Sequence, residues 1–411
     1  METNRSLATG QRPVAGDARE YPLWPPLTEG DPDAEEPYPL EVSYDYGAVD
    51  PALFEPPPTA GIQRWAPLLP PLVSETDLGE GATPLLSAPA VAERCGVESL
   101  YLKDESQNPT WSQKDRLNRC AVSAAVHSDA AGVVVASTGN HGASAAAYAA
   151  RAGLPCVVLT SPSIPAASAA FIDTYGAAVV AVDDWELQRR TIEWLTVECG
   201  YHPVSSRTEP HTGHPFGPEG YKTIAYEIYH ELTVAPGTVF VPTAFSELLY
   251  GVWKGFDELR RLGVTDTVPR MIPVEPAARG PLSAAIKAEE AFATVPAEPT
   301  DARSLAATTN GYRGVHAVRE SDGYPVTVDD DRIREARTRL ARNGWWQEGS
   351  GAAGVAGVRA AVEADEPVAT PVVALATSSG FKDGDRIEPP VVEGSVDAIR
   401  ELLADRYGLE P

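Results

Sequence analysis

From residue 132 the chain alternates short β-branched runs with longer stretches of helical character. "GVVVAS" (132–137) is an apolar run that stops in the turn "TGNHG". The alanine-rich "ASAAAYAARAGL" (143–154) then favours helix, because alanine loses least side-chain freedom on coiling, and Gly153 ends it. "PCVVLTS" reads as the next strand, "AASAAFIDTYGA" as a helix and "AVVAVDD" as a third strand. Residues 132–184 therefore predict β-α-β-α-β with right-handed crossovers and a parallel sheet.

The alternation continues with longer connections. "GYKTIAYEIYHEL" (220–232) carries apolar residues at helical spacing, "GTVFVP" reads as a buried strand, "ELLYGVWKGFDELRRLG" (247–263) as an amphipathic helix and "PRMIPVEP" as another strand. "DDD" at 329–331 suits a helix N-terminus before "RIREARTRLARNG", where acids meet the positive end of the dipole. "PVVALATSSGFKD" (371–383) predicts a strand running into a polar turn. The region 287–331 is less regular, and no internal repeat is visible. The first 60 or so residues, with "YPLWPPLTEGDPDAEEPYPLE" and "LFEPPPTAG", hold neither period for long and predict an extended arm that wraps a core.

Composition narrows the function classes. At 411 residues and 43% apolar content, the chain is long enough for two domains with cores of their own. A formal charge of -25 sets up a negative field that opposes nucleic acid and anionic lipid. Acid excess beside scarce lysine resembles a protein of a high-salt cytoplasm, which predicts loosening in dilute buffer. Cys95, Cys120, Cys156 and Cys199 are spread singly and read as buried thiols rather than zinc ligands. No stretch approaches the roughly 20 apolar residues of a membrane span, and the first residues lack a signal-peptide core, so a cytoplasmic protein is expected.

Of 33 basic residues only six are lysines: Lys103, Lys114, Lys222, Lys254, Lys287 and Lys382. A lysine retained in such a chain is a candidate for a specific task, and Lys114 sits in "NPTWSQKDR". In doubly wound sheets ligands gather beyond the carboxyl ends of strands. Three turns qualify there: "STGNHG", "TAFSE" and "TSSG".

Taken in order, "LYLKDESQNPTWSQKDR", "ASTGNHGASAAAYAARAGL", "EGYKTIAYEI" and "ATSSGFKD" resemble the threonine synthase branch of the fold type II pyridoxal phosphate enzymes, with "LEVSYDY", "GIQRWAPLLP" and "LGEGATPLL" as its lead-in. The resemblance spans about residues 40–385. It implies two open doubly wound α/β domains with pyridoxal phosphate in the cleft between them. The implied limits are an arm at 1–62, a larger cofactor-binding domain from 63–112 and 216–390, a smaller domain at 113–215 and a C-terminal helix at 391–411. Lys114 is implied as the lysine that holds the cofactor covalently, Asn140 as the side chain beside its ring oxygen, and Thr377 as the hydroxyl facing the pyridine nitrogen, with Ser378 as the fallback. Thr243, Ala244, Phe245, Ser246 and Glu247 fall at the phosphate turn; Ser112, Ser137, Thr138, Gly139 and His141 fall around the substrate, with Lys103 toward its anionic end. A lysine must be unprotonated to attack an aldehyde, and a dry cleft favours that form. Competing readings of the residues are a surface lysine paired with Asp115, Lys103 in a salt bridge to Asp104 or Glu105, and Asn140 as a helix cap. Lys222 and Lys254 read as structural. The resemblance implies an amino-acid substrate, and dimers are common in that branch.

Two segments depart from the branch. Its phosphate turn is of the "VPxGxxG" kind, whereas "VPTAFSELLYG" places Ala244, Phe245, Ser246 and Glu247 there, with Phe245 intruding and Glu247 able to repel a phosphate. Trp111 stands at a position the branch commonly gives to glycine and Gln113 at one it gives to an aromatic, which puts an indole at the border of the lysine. The cysteine pairs of a zinc ribbon are also missing from the arm. The functions left open are a lyase converting O-phosphohomoserine and water to threonine and phosphate, an ammonia-lyase, dehydratase or β-replacement enzyme on a related amino acid, and a cofactor-poor paralogue that binds or regulates.

Overall fold

A computed structural model of the chain describes residues 5–15, 19–55, 61–137, 139–206, 208–383, 389–392 and 395–409. Two sheets organise them. The larger has the order Val326–Val328, Arg270–Pro276, Thr238–Pro242, Val372–Ala376, Leu100–Asp104, Leu85–Ser87, parallel throughout except for its last edge strand. Its central strands Thr238–Pro242 and Val372–Ala376 are buried along their whole length, as expected for parallel strands covered on both faces. The smaller sheet is wholly parallel, in the order Ala178–Ala181, Cys156–Thr160, Gly132–Ala136, Tyr201–Pro203.

The β-α-β-α-β run predicted for 132–184 is present, with helices Asn140–Arg151 and Ala166–Thr174 as its crossovers. The acids before "RIREARTRLARNG" do start a helix, Asp330–Arg342, with the Asp329 carboxylate accepting from the Arg332 N–H. Helix Gly349–Glu363 has no amphipathic signal in the sequence. It is buried along most of its length, and a Cβ added at Gly357 would stand 2.4 Å from the Val274 side chain. Glycine lowers helix propensity but allows this close approach to the sheet.

The arm is more ordered than its proline content predicts. Ala8–Pro13, Tyr21–Pro22 and Leu40–Tyr44 form an antiparallel three-stranded sheet, and Leu40–Tyr44 is buried throughout. Buried charge fastens it: Lys254 lies 2.9 Å from Glu41 and 2.7 Å from Glu219, and Lys222 lies 2.8 Å from both Glu219 and Glu258. Lys222 and Lys254 are therefore structural, as their place in the sequence suggested. Three of the four thiols are buried, but Cys199 is only half-buried.

A second buried network holds the start of helix Lys114–His127. Arg116 meets Glu105 and Glu227 at 2.7 Å each, and Lys103 meets Glu227 at 2.8 Å and Glu231 at 3.3 Å. Burial disfavours the Glu227 carboxylate, yet Arg116 and Lys103 outweigh it and hold its pKa at about 2; burial likewise opposes Glu41, which Lys254 and Arg12 bring to about 2. Both folded-state values lie below the ordinary 4.5, so their stabilisation is complete above pH 4.5 and is lost as pH falls toward 2. Burial pushes the Glu275 carboxyl the other way, to about 7, so its effect falls outside that window. Denaturant midpoints measured from pH 5 to pH 2 are expected to fall steadily, and Glu227→Gln to flatten the decline. A flat wild-type profile below pH 4.5 would contradict this account.

Candidate active site

Lys114 is the first residue of helix Lys114–His127, just beyond the turn in which Ser112 bridges Ser378 and the Gln113 N–H donates to the Thr377 carbonyl at 3.1 Å. The residue keeps some open surface, but its amine faces the interior, 5.8 Å from the Tyr221 ring centre. Burial lowers its pKa and the more distant Glu247 carboxylate partly restores it. Among the described residues the amine has no hydrogen bond or ion pair. The Asp115 carboxylate is engaged elsewhere, accepting from Thr110 N–H at 2.7 Å, Thr110 Oγ1 at 2.5 Å and Ser144 Oγ at 2.6 Å. The reading of Lys114 as a surface lysine paired with Asp115 is thereby removed.

Several polar atoms near this amine in sequence or in space are buried without partners: Ser112 Oγ, Gln113 Oε1 and His141 Nε2. Buried polar groups are ordinarily satisfied, so these three atoms are candidates for contact with a polar ligand. Burial, helped by Lys114, pushes the His141 pKa down to about 3, which makes it a neutral imidazole at neutral pH. Ser137 Oγ accepts from Gly142 N–H at 2.9 Å and Gly139 N–H at 3.2 Å, closing the turn that starts helix Asn140–Arg151. A Cβ at Gly139 would meet nothing within 4 Å, so its backbone is open to approach. Thr138 lies outside the described residues.

Asn140 does not cap its helix. Its amide donates to Glu348 Oε1 at 2.9 Å and its carbonyl oxygen accepts from Lys382 Nζ at 2.8 Å and Ser378 Oγ at 3.1 Å. These contacts tie the small sheet's first turn to the end of strand Val372–Ala376 and to the start of helix Gly349–Glu363. Burial lowers Lys382 to about 8 and raises Glu348. Neither was singled out for chemistry in the sequence, although lysine scarcity already flags Lys382. Thr377 is buried, with its carbonyl on Gln113, and its hydroxyl has no partner among the described residues.

Other expectations need correction. Lys103 has no open face toward a substrate. It is wholly buried, donates to the Thr83 carbonyl and pairs with Glu227 and Glu231, rather than with Asp104 or Glu105 beside it. Trp111 turns its indole outward, 44% exposed, and stacks on Phe171 with ring centres 5.4 Å apart, so it does not close over Lys114. Its φ of +64° is the conformation a glycine takes without strain, which in an L-residue costs about 1–2 kcal/mol. Phe245 is also outward, 42% exposed and stacked on His211 at 4.2 Å.

In the turn Thr243–Glu247 the polar groups are already engaged. Thr243 Oγ1 donates to the Val241 carbonyl at 2.7 Å, Ser246 Oγ to Asn310 Oδ1 at 2.8 Å, and Asn310 Nδ2 to the Ala244 carbonyl at 2.5 Å. Glu247 is buried at the first position of helix Glu247–Arg261. Burial opposes its charge, but His211, Lys114 and Arg313 together hold its pKa well below the carboxylate range. At 3.7 Å His211 Nε2 is beyond hydrogen-bond length and has no partner, so this attraction is electrostatic and needs a protonated imidazole.

A family model described as "Pyridoxal-phosphate dependent enzyme" matches residues 76–378, most of the chain. The chain belongs to this family. In its site the Lys114 amine and the hydroxyls of Thr377 and Ser378 lie beyond neighbouring strands of the larger sheet, and the neutral imidazole of His141 lies beyond a strand of the smaller. This pyridoxal-phosphate-dependent family member is 32% identical to a threonine synthase of Methanosarcina acetivorans over 388 residues, 89% of this chain and 92% of that protein. It is 34% identical to a threonine synthase of Synechocystis over 335 residues, 79% of this chain and 83% of the other. Among solved structures, maize serine racemase matches with a TM-score of 0.64 at 20% identity, covering 72% of this chain and 88% of the racemase, which speaks for the fold alone. A fold type II architecture follows from these likenesses and from the two sheets.

The cofactor of this family can be tested against the residues present. At the aldehyde and ring end they fit, through the unpaired Lys114 amine, the orphaned atoms of Ser112, Gln113 and His141, and the free Thr377 hydroxyl. At the phosphate end stands the Glu247 carboxylate.

Proposed function

We propose that the chain is a pyridoxal-phosphate-dependent lyase of threonine-synthase type, converting O-phosphohomoserine and water to threonine and phosphate. The observation that carries the proposal is the Lys114 amine, buried, without a partner and with its charge disfavoured. The length of the likeness to threonine synthases supports the substrate class.

When bound, the cofactor supplies an electron sink that lowers the cost of removing protons from amino-acid carbons. Lys114 would hold it, and Asn140, Thr377 and Ser378 would border its ring. A hydroxyl rather than an acid at Thr377 would leave a pyridine nitrogen unprotonated, which would suit elimination and addition over transamination. The Lys114 amine is the base that takes and returns protons at the substrate carbons. The turn of Ser137 and Gly139 offers open backbone to a substrate carboxylate, and neutral His141 can donate or accept without adding charge. The formal charge of -25 opposes nucleic acid as a partner, and four free thiols suit a reducing, cytoplasmic setting. A homodimer is the proposed assembly, in keeping with the branch it resembles.

The test is a product assay in concentrated potassium chloride, chosen because of the charge of -25. O-phosphohomoserine is expected to yield threonine and inorganic phosphate in equal amounts. Inert phosphohomoserine alongside oxoacid and ammonia from serine or threonine would replace the proposal with the ammonia-lyase reading.

A further inference from the structure

Where a cofactor phosphate would meet the chain, the chain already carries a charge of that sign. Helix Glu247–Arg261 follows strand Thr238–Pro242, and helix N-termini with bare backbone are natural anion sites. Here the turn between them is filled. Ser246 holds a φ of +63°, so the backbone keeps a shape that glycine adopts freely, but its side chain is locked on Asn310. The next residue, Glu247, sends its carboxylate into the interior. A Cβ placed on Gly213 would stand 2.4 Å from Glu247 Oε1 and 3.1 Å from Arg313 Nη1, so acid and guanidinium converge over that glycine.

Around this carboxylate the charges are otherwise basic. Arg313 is buried, with Nη2 on the Leu40 carbonyl at 2.6 Å, Nη1 on the Thr212 carbonyl, and Nε unpartnered. His211 lies 3.7 Å away, and Lys114 is close enough for each charge to shift the other. Arg313 and Glu247 attract without a direct ion pair. The cavity bordered by His211, Phe245, Asn310 and Arg313 has a volume of about 10 Å³, room for one water. Glu247 is buried at its helix start and faces Arg313 and His211.

We infer that Glu247 is a resident stand-in for the cofactor's phosphate: it supplies the negative charge that the buried Arg313 and, when protonated, His211 face, and thereby removes the site's preference for a phosphorylated aldehyde. The inference rests on Lys114 as the carbonyl-binding lysine of the proposed function. A phosphate dianion entering beside an ionised, poorly solvated carboxylate is repelled, whereas an aldehyde without phosphate is not. Removing the Glu247 charge leaves Arg313 without that carboxylate, so a phosphate brought to the start of helix Glu247–Arg261 is no longer repelled.

The full chain is titrated separately with pyridoxal phosphate and with pyridoxal, following near-visible absorbance. The amine adds to the aldehyde carbon, water leaves, and borohydride then delivers hydride to fix the C–N bond as a secondary amine that peptide mass analysis locates. The wild type is expected to favour pyridoxal phosphate over pyridoxal by less than about tenfold. Glu247→Gln, which keeps the side-chain shape, and Glu247→Gly are each expected to tighten pyridoxal phosphate by about tenfold or more while leaving pyridoxal within about threefold. A wild type with a strong phosphate preference that Glu247→Gln leaves unchanged or weakens, with the adduct still on Lys114, overturns this inference alone. No Lys114 adduct with either aldehyde, in the wild type or in either variant, overturns the reading of Lys114 and this inference with it.

Discussion

Lys114→Ala is expected to eliminate the near-visible band and the borohydride-fixed adduct, and to lower turnover by about three orders of magnitude or more, the scale of losing a positioned proton-transfer group along with a covalent anchor. The fold is expected to survive. Among the described residues the Lys114 amine makes no hydrogen bond or ion pair, so its removal breaks neither and frees the chain from holding a poorly solvated amine. Thermal midpoints of wild type and variant should agree within a few degrees. The informative rival is Lys382. Its amine bonds Asn140 Oδ1 at 2.8 Å, and burial has lowered its pKa to about 8, so it too has an appreciable unprotonated fraction near neutrality. An adduct that persists in Lys114→Ala and maps to Lys382 would move the chemistry to the other side of the cleft.

The largest effect on stability is expected at Arg116. Its guanidinium is fully buried and bonds Glu105, Glu227, Thr83 and Thr223 at 2.7–3.0 Å. Burial opposes its charge, but Glu105 and Glu227 outweigh that and raise its pKa. Arg116→Met keeps the length and removes the charge, leaving Glu227 to Lys103 and the buried Glu105 carboxylate without a cation among the described residues. Breaking a buried pair from one side costs about 3–5 kcal/mol, because the orphaned charge remains out of water. Equilibrium unfolding in denaturant is the measurement, and adding Glu105→Gln to Arg116→Met should recover part of the loss. A loss below about 1 kcal/mol would mean that the network contributes little. Because Arg116 lies two positions after Lys114 on the same helix, the variant should also blunt adduct formation: the clamp to Glu105 and to helix Thr223–Leu232 fixes where that helix begins.

The two effects separate what "NPTWSQKDR" could disclose. Its lysine was legible because the chain has so few, and because the segment recurs in a known order with "STGNHG" and "TSSG". Its arginine was not legible, since the partners Glu105 and Glu227 come from segments 11 and 111 residues away. Trp111 shows the same limit. The sequence shows an unusual bulky residue, but only the backbone turn at φ +64° sends the indole outward onto Phe171 rather than across Lys114. Lys103 was misplaced for a related reason, since a strand residue beside two acids gives no hint that Glu227 and Glu231 from a distant helix will claim it. Helix Gly349–Glu363 escaped because its glycines suit close packing on the sheet and weaken every local signal of helix.

By itself the sequence determined the alternation of strand and helix from 132 to 184, the families of turns at the strand ends and the unusual retention of Lys114, because these are local consequences of period, turn chemistry and residue scarcity. Tertiary structure alone decided which charges are paired. It joined Asn140 to Glu348 and Lys382 across the two sheets, gave Lys103 and Arg116 to structural carboxylates, and left the Lys114 amine unpartnered with Glu247 turned inward. The reason is physical: a buried charge is set by what lies within a few ångströms of it in space, and separation along the chain carries almost none of that information.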